Sequence, residues 1–550
     1  MSTAKRERIA KRQLGQYLTP RTLSRRIIDD LRPNKNLKIL EPSFGDGSFL
    51  IAILDYCLER DISIKEMASN ITGVEIDNPL FEEARKILKH KYGNVVLKQL
   101  NLYNTDFFRW GGEVQTLINP KKYFMREWGT YDLIVGNPPF GGTFDKEIED
   151  ELDSIFGTRS GEKIKKETYA FFIVKSLDLL KNGGRLIFIC SDTFLTINTM
   201  KGLRNLLMES GSVTVNELSH FSTETTHPMV MLDFIKGKQQ NHLSLLGEKV
   251  NKDDIKITPN YSWKLNSKYL EYFSYGKLLN KYIIATSGMT IGKNEYFIKK
   301  IHEDNTITDN YKYEFYDDPI TFEKELSKAR LGKLSKSLKQ KIVGAENLHL
   351  TRENIRIVKR KSPITIKLPH KYYSNYNKGV TKKVYSPATH VVYWKDNGKA
   401  VYTFKKNGPW YLHGVGGKKF FKREGFTWQL VANKIYARYL PENYILDSGA
   451  PCGFLKEGVD KDELYFILAW LTTDTATRIL KNILNHTRNI QGKDVERLPY
   501  PSWVKTEAKK EIILITKQAI SQLRESPHSL DISNLTQLLD SKFALPKISS

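Results

Sequence analysis

Short apolar runs alternate with longer segments of helical periodicity from about residue 37 to about residue 236. The runs predict strands at residues 38–41, 71–76, 95–100, 131–135 and 185–190, with further apolar segments at 212–218 and 229–235. The longer segments predict helices at residues 48–58, 79–91, 167–180 and 200–208. Strands that alternate with helices in this way form a mainly parallel sheet covered on both faces, so the expected fold of this part is α/β.

The alternation ends after the polar segment 237–242, and we expect a domain boundary there. Residues 246–500 show mixed strand and loop patterns with many Lys, Tyr and Gly, which predict a second domain of mixed α+β structure. Residues 504–543 have the periodicity of two closing helices. The expected domains are therefore residues 1–240 and residues 241–550.

The net charge of +24 lies almost wholly in the second of these domains. Residues 1–240 carry 34 Lys and Arg against 31 Asp and Glu, whereas residues 241–550 carry 52 against 31. Residues 341–440 alone carry 21 basic and 4 acidic side chains, together with many aromatic ones. Lys and Arg neutralise phosphates and aromatic rings stack on or wedge between bases, so this basic stretch favours nucleic-acid binding over a merely solvated surface.

The composition excludes several classes of protein. No apolar run reaches the ~18 residues that a membrane helix needs, and the polar start lacks the apolar stretch of a secretory signal. Three cysteines are too few and too scattered for a disulfide framework or a zinc site. We expect a soluble, cytoplasmic protein without a metal or a membrane partner, and we interpret Cys452 as a buried structural residue rather than a nucleophile.

Glycine and acidic residues follow the first two predicted strands. Glu41 ends the first strand and leads into a turn with Gly45 and Gly47, which allow the backbone to approach a ligand closely. A dinucleotide-binding fingerprint needs a small residue three positions after Gly47, and Leu50 stands there, which argues against NAD. Glu75 ends the second strand, where a carboxylate can accept hydrogen bonds from both hydroxyls of a ribose.

Two further acidic residues receive different interpretations. Asp77 directly precedes a predicted helix and fits its N-cap. Asp106 follows the third predicted strand, where its carboxylate could accept from an adenine amino group while the ring of Phe107 lies against adenine. Three acidic residues at successive strand ends, Glu41, Glu75 and Asp106, would suit a ligand that carries positive charge.

The sequence Asn137-Pro138-Pro139-Phe140 directly follows the fourth predicted strand. A rigid amide oxygen and the carbonyl of Pro138 can accept both N–H groups of an exocyclic amine, which favours the positive charge that develops when this nitrogen is methylated. The prolines hold the backbone in one conformation, and Phe140 offers a flat face to a base taken out of its stack. For these four residues alone, a simple turn after a strand is the alternative.

These motifs, preceded by Gly15-Gln16-Tyr17-Leu18-Thr19-Pro20, resemble in their order the motifs of gamma-class AdoMet-dependent DNA adenine-N6 methyltransferases. The resemblance covers about residues 13–236. It implies a Rossmann-like methyltransferase domain with a mixed sheet, followed by a DNA-recognition domain, in the modification enzyme of a type II restriction-modification system. The implied cofactor is S-adenosyl-L-methionine (AdoMet), and the implied substrate is adenine in a short site of double-stranded DNA.

The resemblance also implies roles for single residues. The residues implied in AdoMet binding are Tyr17, Thr19, Glu41, Gly45, Gly47, Glu75, Ile76, Asp106, Phe107 and Asn137. The residues implied in catalysis are Asn137, Pro138, Pro139 and Phe140. Phe140 and Phe221 would stack on the flipped adenine, and Phe172 is a further candidate for contact with the adenine ring of AdoMet.

Other functions share parts of this pattern. An RNA adenine-N6 methyltransferase or a protein-glutamine methyltransferase could use the same Asn-Pro-Pro core, although glutamine methylation would not need the basic stretch. The modification subunit of a multisubunit restriction system normally has a helical domain before the first motif. A non-enzymatic DNA-binding protein is disfavoured because every expected catalytic position is occupied. No convincing nuclease motif is found, so a cognate restriction endonuclease is expected to be a separate chain.

Overall fold

The computed structural model describes most of the chain. The described residues are 18–115, 122–125, 129–139, 146–159, 161–218, 228–291, 294–317, 353–378, 384–403, 415–527 and 529–546. They form two compact units, of which the first ends at Leu270 and also includes Asn482–His486, while the second comprises Glu271–Lys481 and the residues from Thr487 onward. This division lies after the expected boundary at residue 240, because residues 242–251 add two strands to the sheet of the first unit.

A large sheet forms the centre of the first unit. The strands of this unit are β1 (Ile39–Glu41), β2 (Ile71–Glu75), β3 (Asn101–Asn104), β4 (Gly112–Gln115), β5 (Lys122–Met125), β6 (Tyr131–Gly136), β7 (Thr158–Arg159), β8 (Glu162–Lys163), β9 (Leu180–Ser191), β10 (Gly211–Leu218), β11 (Met229–Lys236), β12 (His242–Leu245) and β13 (Glu248–Asn251). Within the described part of the chain, nine of them form one sheet in the order β13-β12-β10-β11-β9-β6-β1-β2-β3. Strands β3, β2, β1, β6 and β9 are parallel, whereas β11 is antiparallel to both of its neighbours. The expected mixed sheet with a parallel half is therefore confirmed.

Helices cover both faces of this sheet. They are α1 (Arg21–Leu31), α2 (Ser48–Leu58), α3 (Ile64–Ser69), α4 (Asn78–Gln99), α5 (Lys146–Phe156), α6 (Thr168–Leu179), α7 (Lys201–Ser210) and α8 (Lys252–Ile257). Along β1 and β6, Ile39 and Leu133 pack in the core formed with α1 to α4, whereas Leu40 and Ile134 pack in the core formed with α5 to α8. Successive strand residues point to opposite faces, so both faces of the sheet are buried, as expected for an α/β fold.

One predicted strand is wrong. Residues 95–100 lie at the end of α4 and in its C-cap, beyond a bend at Gly93, where φ is +82°. Val96 and Leu100 are buried while Val95 is exposed, a spacing of four residues that is helical and that a short apolar run does not reveal. The third strand is instead β3, whose mainly exposed, polar side chains carry no period-two pattern because β3 is the edge of the sheet.

The second unit combines small sheets with a group of helices. Its strands are β14 (Ile283–Thr286), β15 (Ile298–Lys300), β16 (Thr306–Asp317), β17 (Glu353–Lys367), β18 (Tyr373–Asn377), β19 (His390–Tyr393), β20 (Gly425–Thr427), β21 (Arg438–Leu440), β22 (Tyr444–Leu446) and β23 (Cys452–Leu455). After α9 (Ser267–Ser274), which crosses the division of the chain, its helices are α10 (Asn294–Phe297), α11 (Lys395–Thr403), α12 (Glu463–Thr472), α13 (Asp474–Ile479), α14 (Gly492–Glu496), α15 (Thr506–Glu525) and α16 (Ile532–Lys542).

These elements give the mixed α+β structure expected for the second half of the chain. Four strands pair in the order β14-β23-β20-β21, four in the order β15-β19-β18-β22, and β16 pairs with β17. The two closing helices expected at residues 504–543 are α15 and α16, and both pack against α12. Among the residues described, no helix combines the length and the apolar character needed to cross a membrane.

Cys452 is part of the packed interior of the second unit. It is fully buried in β23, where the side-chain amide of Asn377 donates to its sulfur at 3.3 Å. Burial raises the pKa of the Cys452 thiol to about 12, so the thiol stays protonated at neutral pH. This cysteine is structural, as the sequence predicts.

Candidate active site

The carboxyl ends of four neighbouring parallel strands meet at one edge of the large sheet. Glu41 and Glu75 are the last residues of β1 and β2, and Asn137 directly follows β6. The register pairs Leu40 of β1 with Ile134 of β6 and continues through β2 to β3, so these strand ends lie side by side. In open α/β sheets, ligands bind outside the carboxyl ends of the strands where the strand order reverses, and here it reverses between β1 and β6. This edge is the candidate active site.

The turn after β1 brings the backbone against the end of β2. The amide of Phe44 donates to the carbonyl oxygen of Val74 at 3.1 Å, and the amide of Gly45 donates to Oε2 of Glu75 at 2.8 Å. Gly45 and Gly47 have φ angles of +54° and +80°, in the left-handed region that favours glycine. The tight turn expected from the two glycines is present, and a side chain at either position would strain it.

Glu75 accepts backbone hydrogen bonds on both carboxylate oxygens. In addition to the bond from Gly45, the amide of Asp77 donates to Oε1 at 2.8 Å. The residue is 5% exposed, and burial raises the pKa of the Glu75 carboxyl, while the backbone donors act in the opposite direction. A carboxylate oxygen can accept two hydrogen bonds, so each oxygen keeps room for one more donor. Asp77 caps α4 by accepting from the amide of Leu80 at 3.1 Å, as expected.

Glu41 is a second buried carboxyl group at the same edge. It is 2% exposed, and its Oε2 has no hydrogen-bond partner among the described residues. Burial raises the pKa of Glu41 well above its ordinary value, and the nearby carboxylates of Asp46 and Glu75 raise it further. A buried acceptor without a donor is costly unless a ligand satisfies it. Glu41 therefore fits a ligand that brings a cation or an N–H donor.

The turn after β3 carries Asp106 and Phe107. Oδ1 of Asp106 accepts from the amide of Phe108 at 2.9 Å, which closes the turn. The ring of Phe107 is buried and stacks on Phe172, with 4.8 Å between the ring centroids. Ile76, by contrast, is 58% exposed beside Glu75. An exposed aliphatic side chain next to buried carboxylates is typical of a surface that a flat ligand can cover.

Lys175 on α6 donates hydrogen bonds to the turn after β3. The sequence alone does not predict a role for this residue. It is fully buried, and its Nζ donates to the carbonyl oxygens of Phe107 at 2.5 Å, Phe108 at 3.3 Å and Trp110 at 2.7 Å. Burial lowers the pKa of Lys175 to about 7, although the carboxylate of Asp106 opposes this shift. The available signal was a single lysine inside a helix whose other residues are almost all apolar.

Asn137 lies where the loop after β6 meets the turn after β1. The hydroxyl of Ser43 donates to the carbonyl oxygen of Asn137 at 3.3 Å, and Oδ1 of Asn137 is buried. A Cβ in place of Gly136 would lie 3.4 Å from Pro42 and 3.9 Å from Glu41, which are ordinary van der Waals distances. The start of the Asn137 loop is therefore a neighbour of Glu41. Pro138 is buried and Pro139 is half-buried.

The other expected residues divide into two groups. Thr19 is buried just before α1, and the neighbouring Leu18 packs beside Gly45, since a Cβ there would lie 3.2 Å from Cδ2 of Leu18. Thr19 and Leu18 are therefore part of the surroundings of the turn after β1. Tyr17, Phe140 and Phe221 lie outside the described residues.

The segment Asn482–His486 reaches this unit from the second half of the sequence. Nε2 of His486 lies 2.9 Å from Oδ2 of Asp192, and Nδ1 lies 2.7 Å from the hydroxyl of Thr196. Asp192 directly follows β9, whose carboxyl end is next to that of β6. No local sequence pattern connects His486 with residues 290 positions earlier, so sequence reasoning missed this contact.

Parts of the chain are similar to known methylases. Residues 59–225 match the family model described as Eco57I restriction-modification methylase. The type II methyltransferase M.HincII of Haemophilus influenzae is 29% identical over 246 residues, which cover 43% of this chain and 40% of that protein. The EcoEI type I restriction enzyme methylase subunit of Escherichia coli is 26% identical over 186 residues, which cover 32% of this chain and 33% of that protein.

A solved structure shares the fold over a longer range. The type IIL restriction-modification enzyme MmeI in complex with DNA matches with a TM-score of 0.54 and 12% identity, covering 100% of this chain and 76% of that chain. At this identity the likeness shows the fold alone. The sequence matches, by contrast, span well under half of M.HincII and of the EcoEI subunit. Residues 59–225 are therefore similar to the methylase domain of the Eco57I restriction-modification family.

Proposed function

We propose that this protein is the modification enzyme of a restriction-modification system and methylates N6 of adenine in a short site of double-stranded DNA, with AdoMet as the methyl donor. The observation that carries this proposal is the position of Asn137. Its amide directly follows β6, at the edge where the buried carboxyl groups of Glu41 and Glu75 lie. An acceptor for an amine and a pocket suited to a cation are the two features that methylation of an amine by a sulfonium requires.

The exocyclic amine of adenine is a weak nucleophile because its lone pair is delocalised into the ring. In the proposed reaction, the side-chain oxygen of Asn137 and the carbonyl oxygen of Pro138 accept its two N–H groups, which favours a pyramidal nitrogen. AdoMet supplies a methyl group activated by a positive sulfur. The N6 nitrogen bonds to the methyl carbon as the carbon–sulfur bond breaks, and one N6 proton then leaves to water. The base must first leave the duplex, and we assign Phe140 and Phe221 to stacking on it.

The residues at the strand edge fit AdoMet. The unpartnered oxygen of Glu41 can accept from the ammonium group of the methionine part, and both oxygens of Glu75 can accept from the ribose hydroxyls. The exposed Ile76 can cover one face of the adenine ring. The full proposed set is Tyr17, Thr19, Glu41, Gly45, Gly47, Glu75, Ile76, Asp106, Phe107 and Asn137, with Asp106 accepting from the adenine amino group.

The second unit supplies the proposed contact with DNA. Its basic stretch at residues 341–440, with 21 basic and 4 acidic residues, supports binding to a polyanion. A restriction endonuclease that recognises the same site is the further partner that we propose. The modification subunit of a multisubunit system remains the second candidate, favoured by the similarity to the EcoEI methylase subunit.

A transfer assay tests the proposed function directly. The purified protein is incubated with tritiated AdoMet and either unmethylated genomic DNA or total RNA, and the labelled nucleoside is identified after digestion. We expect label in N6-methyldeoxyadenosine from DNA alone, with no other subunit added. Label in RNA alone, or in cytosine, would refute the proposal, and a strict need for a further subunit would favour the second candidate.

Glu41 should give AdoMet binding a characteristic pH dependence. The pKa of this carboxyl is raised in the free protein, so the folded chain keeps a proton that the unfolded chain loses. The contribution of Glu41 to stability therefore falls as the pH rises above its ordinary pKa of 4.5. A cationic ligand favours the ionised carboxylate, so AdoMet binding should release a proton and become tighter as the pH rises.

Calorimetry in buffers of different ionisation enthalpy measures that proton. Glu41→Gln should abolish the proton release and weaken AdoMet binding about tenfold, the effect of one lost charge-assisted hydrogen bond. Glu83→Gln, an exposed change of the same kind on α4, is the matched control. Equal proton release in the Glu41 variant and the wild type would contradict this assignment.

The salt dependence of duplex binding should show whether the basic stretch contacts DNA phosphates. Lys359, Lys361 and Lys367 are exposed on β17, so replacing all three with alanine should weaken duplex binding. Each lost phosphate contact lowers the slope of log affinity against log salt by about 0.9, so the slope should fall by roughly 1 to 3. The control replaces Lys65, Lys86 and Lys89, which are exposed in the first unit. Identical slopes for the two triple variants would mean that the basic stretch has another role.

A further inference from the structure

A small open pocket lies within the second unit, where β18, β21 and β22 meet the segment at residues 386–389. Its walls carry cationic and hydroxyl groups, including Lys378, Ser386, Thr389, Arg438 and Tyr444. These residues are far in sequence from the AdoMet-binding motifs, and no step proposed above uses them. The chemistry of the pocket therefore calls for its own explanation.

Arg438 has no acidic partner in this pocket. Its guanidinium donates to the side-chain oxygen of Asn377 at 2.5 Å and approaches the hydroxyl of Ser386 at 3.5 Å, and both groups are neutral. In the described part of the chain, no carboxylate lies within 4.0 Å of it. Burial lowers the pKa of Arg438, which shows that the charge has lost much of its hydration. Buried charges in proteins are normally paired, because desolvation without a counter-ion is costly.

A purely structural role accounts less well for Arg438. Arg204, which is fully buried in the first unit, shows what such a role looks like, since it donates to the carbonyl oxygens of Phe194, Ile197, Asn260 and Tyr261. Arg438 has only two neutral side-chain contacts and lines an open pocket. A guanidinium has five N–H donors, so several remain for a ligand.

The pocket holds its arginine in a fixed position. Asn377, which accepts from Arg438, is fully buried and donates to the hydroxyl of Thr427 at 2.9 Å. Two acidic groups bond to residues that line the pocket: Asp447 accepts from the Tyr376 hydroxyl at 3.1 Å, and Glu424 accepts from the Tyr439 hydroxyl. Among the described residues, neither carboxylate lies within 4.0 Å of the Arg438 guanidinium, which therefore faces the pocket without a counter-ion.

We propose that this Arg438 pocket holds one backbone phosphate of the bound DNA and so sets the register of the duplex on the second unit. A planar guanidinium beside hydroxyl donors matches the geometry of a phosphate, and a contact of this kind positions a protein on DNA without reading a base. The surrounding stretch of 21 basic and 4 acidic residues favours a polyanion over an acidic peptide or an isolated anion. The inference rests on the proposed DNA binding and adds the residue that anchors it.

The test compares duplex binding of the full chain and its variants by fluorescence anisotropy over a range of salt concentrations. Arg438→Met should weaken binding about tenfold and lower the log–log salt slope by about 1. Arg438→Lys keeps the charge, so it should keep the slope while losing part of the affinity. Arg26→Met is the control, because Arg26 is exposed on α1 outside the basic stretch, and it should change binding much less.

Neutral methylphosphonate linkages, placed one at a time in the duplex, locate the contact. In the wild type, a neutral linkage at one position of the duplex should lower the binding affinity. In Arg438→Met, a neutral linkage at the same position should cause no further loss of affinity. Equal binding by Arg438→Met and the wild type would overturn the inference while leaving DNA binding intact, whereas a wild type that does not bind DNA would overturn the proposed function. Calorimetry with inorganic phosphate tests whether the pocket binds a free phosphate instead of a backbone phosphate. If Arg438→Met loses phosphate binding but keeps its duplex affinity, the pocket belongs to a free phosphate. Thermal unfolding and the Lys variant show whether the Met variant is folded.

Discussion

Replacing Asn137 with alanine is expected to reduce methyl transfer about 10²- to 10³-fold, the effect of removing one preorganised acceptor from a developing charge. The amide follows β6 directly, and its loop is held by the hydrogen bond from the Ser43 hydroxyl to the carbonyl oxygen of Asn137. Alanine removes the side-chain oxygen but leaves this backbone in place. Duplex DNA should therefore bind with an affinity within a few-fold of the wild type, and AdoMet binding should weaken only by the one contact proposed for Asn137.

Three measurements separate the proposed catalytic role of Asn137 from a structural one. The rate of single-turnover methyl transfer should fall far more than the AdoMet affinity measured by calorimetry, and the duplex affinity measured by anisotropy should not fall. Asn137→Asp keeps an acceptor oxygen but adds a charge, so its rate of methyl transfer should lie between that of the alanine variant and that of the wild type. Asn36→Ala serves as the control, because Asn36 is exposed at the amino end of β1, away from the candidate site. Full methyl-transfer activity in Asn137→Ala would refute the proposed role of Asn137 as a hydrogen-bond acceptor for the amine.

Replacing Lys175 with methionine should weaken AdoMet binding about tenfold or more without touching any proposed ligand contact. The change leaves the carbonyl oxygens of Phe107, Phe108 and Trp110 without their ammonium donor. An unsatisfied buried acceptor costs about 1–3 kcal/mol, although removal of a buried charge offsets part of this loss. The turn that carries Asp106 and Phe107 should therefore loosen, which makes Lys175 a positioning residue for the cofactor.

The free energy of unfolding should depend on pH through the protonation of Lys175. The pKa of Lys175 is about 7 in the folded protein and 10.5 ordinarily, so between these values the unfolded chain binds more protons. The contribution of Lys175 to stability should rise with pH across this window, by at most about 1.4 kcal/mol per pH unit, and stay constant below it. Lys175→Met should lack this rise.

The AdoMet measurement supplies a signature that loss of packing alone would not produce. Above about pH 7 the neutral amine has two N–H donors for three carbonyls, so the advantage of the wild type over the methionine variant in AdoMet affinity should become smaller. Lys163→Met, an exposed change on β8, is the control and should behave as the wild type. If Lys175→Met binds AdoMet tenfold more weakly but with the same pH dependence as the wild type, Lys175 has only a packing role. Unchanged binding would contradict the assignment altogether.

Local patterns predicted most of the elements that build the candidate site. The helix at residues 48–58 has the predicted bounds, and β1, β2 and β6 lie within a residue or so of their predicted positions. Asp77 caps α4 as its position before the helix indicates. These features depend on apolar periodicity and on contacts between residues a few positions apart, which the sequence displays directly. The edge strand β3 was missed because its residues face solvent.

The sequence by itself determined the order of the motifs, the α/β alternation that leads to a methylase domain, and the concentration of charge in the second half of the chain. Only the tertiary structure decided that, among the described residues, Oε2 of Glu41 is buried without a donor, Lys175 supports the turn after β3, and Arg438 faces a pocket without an acidic partner. The physical reason is that burial and pairing of a polar group depend on residues far away in sequence. Such contacts follow from strand register and packing, which no local pattern of residues encodes.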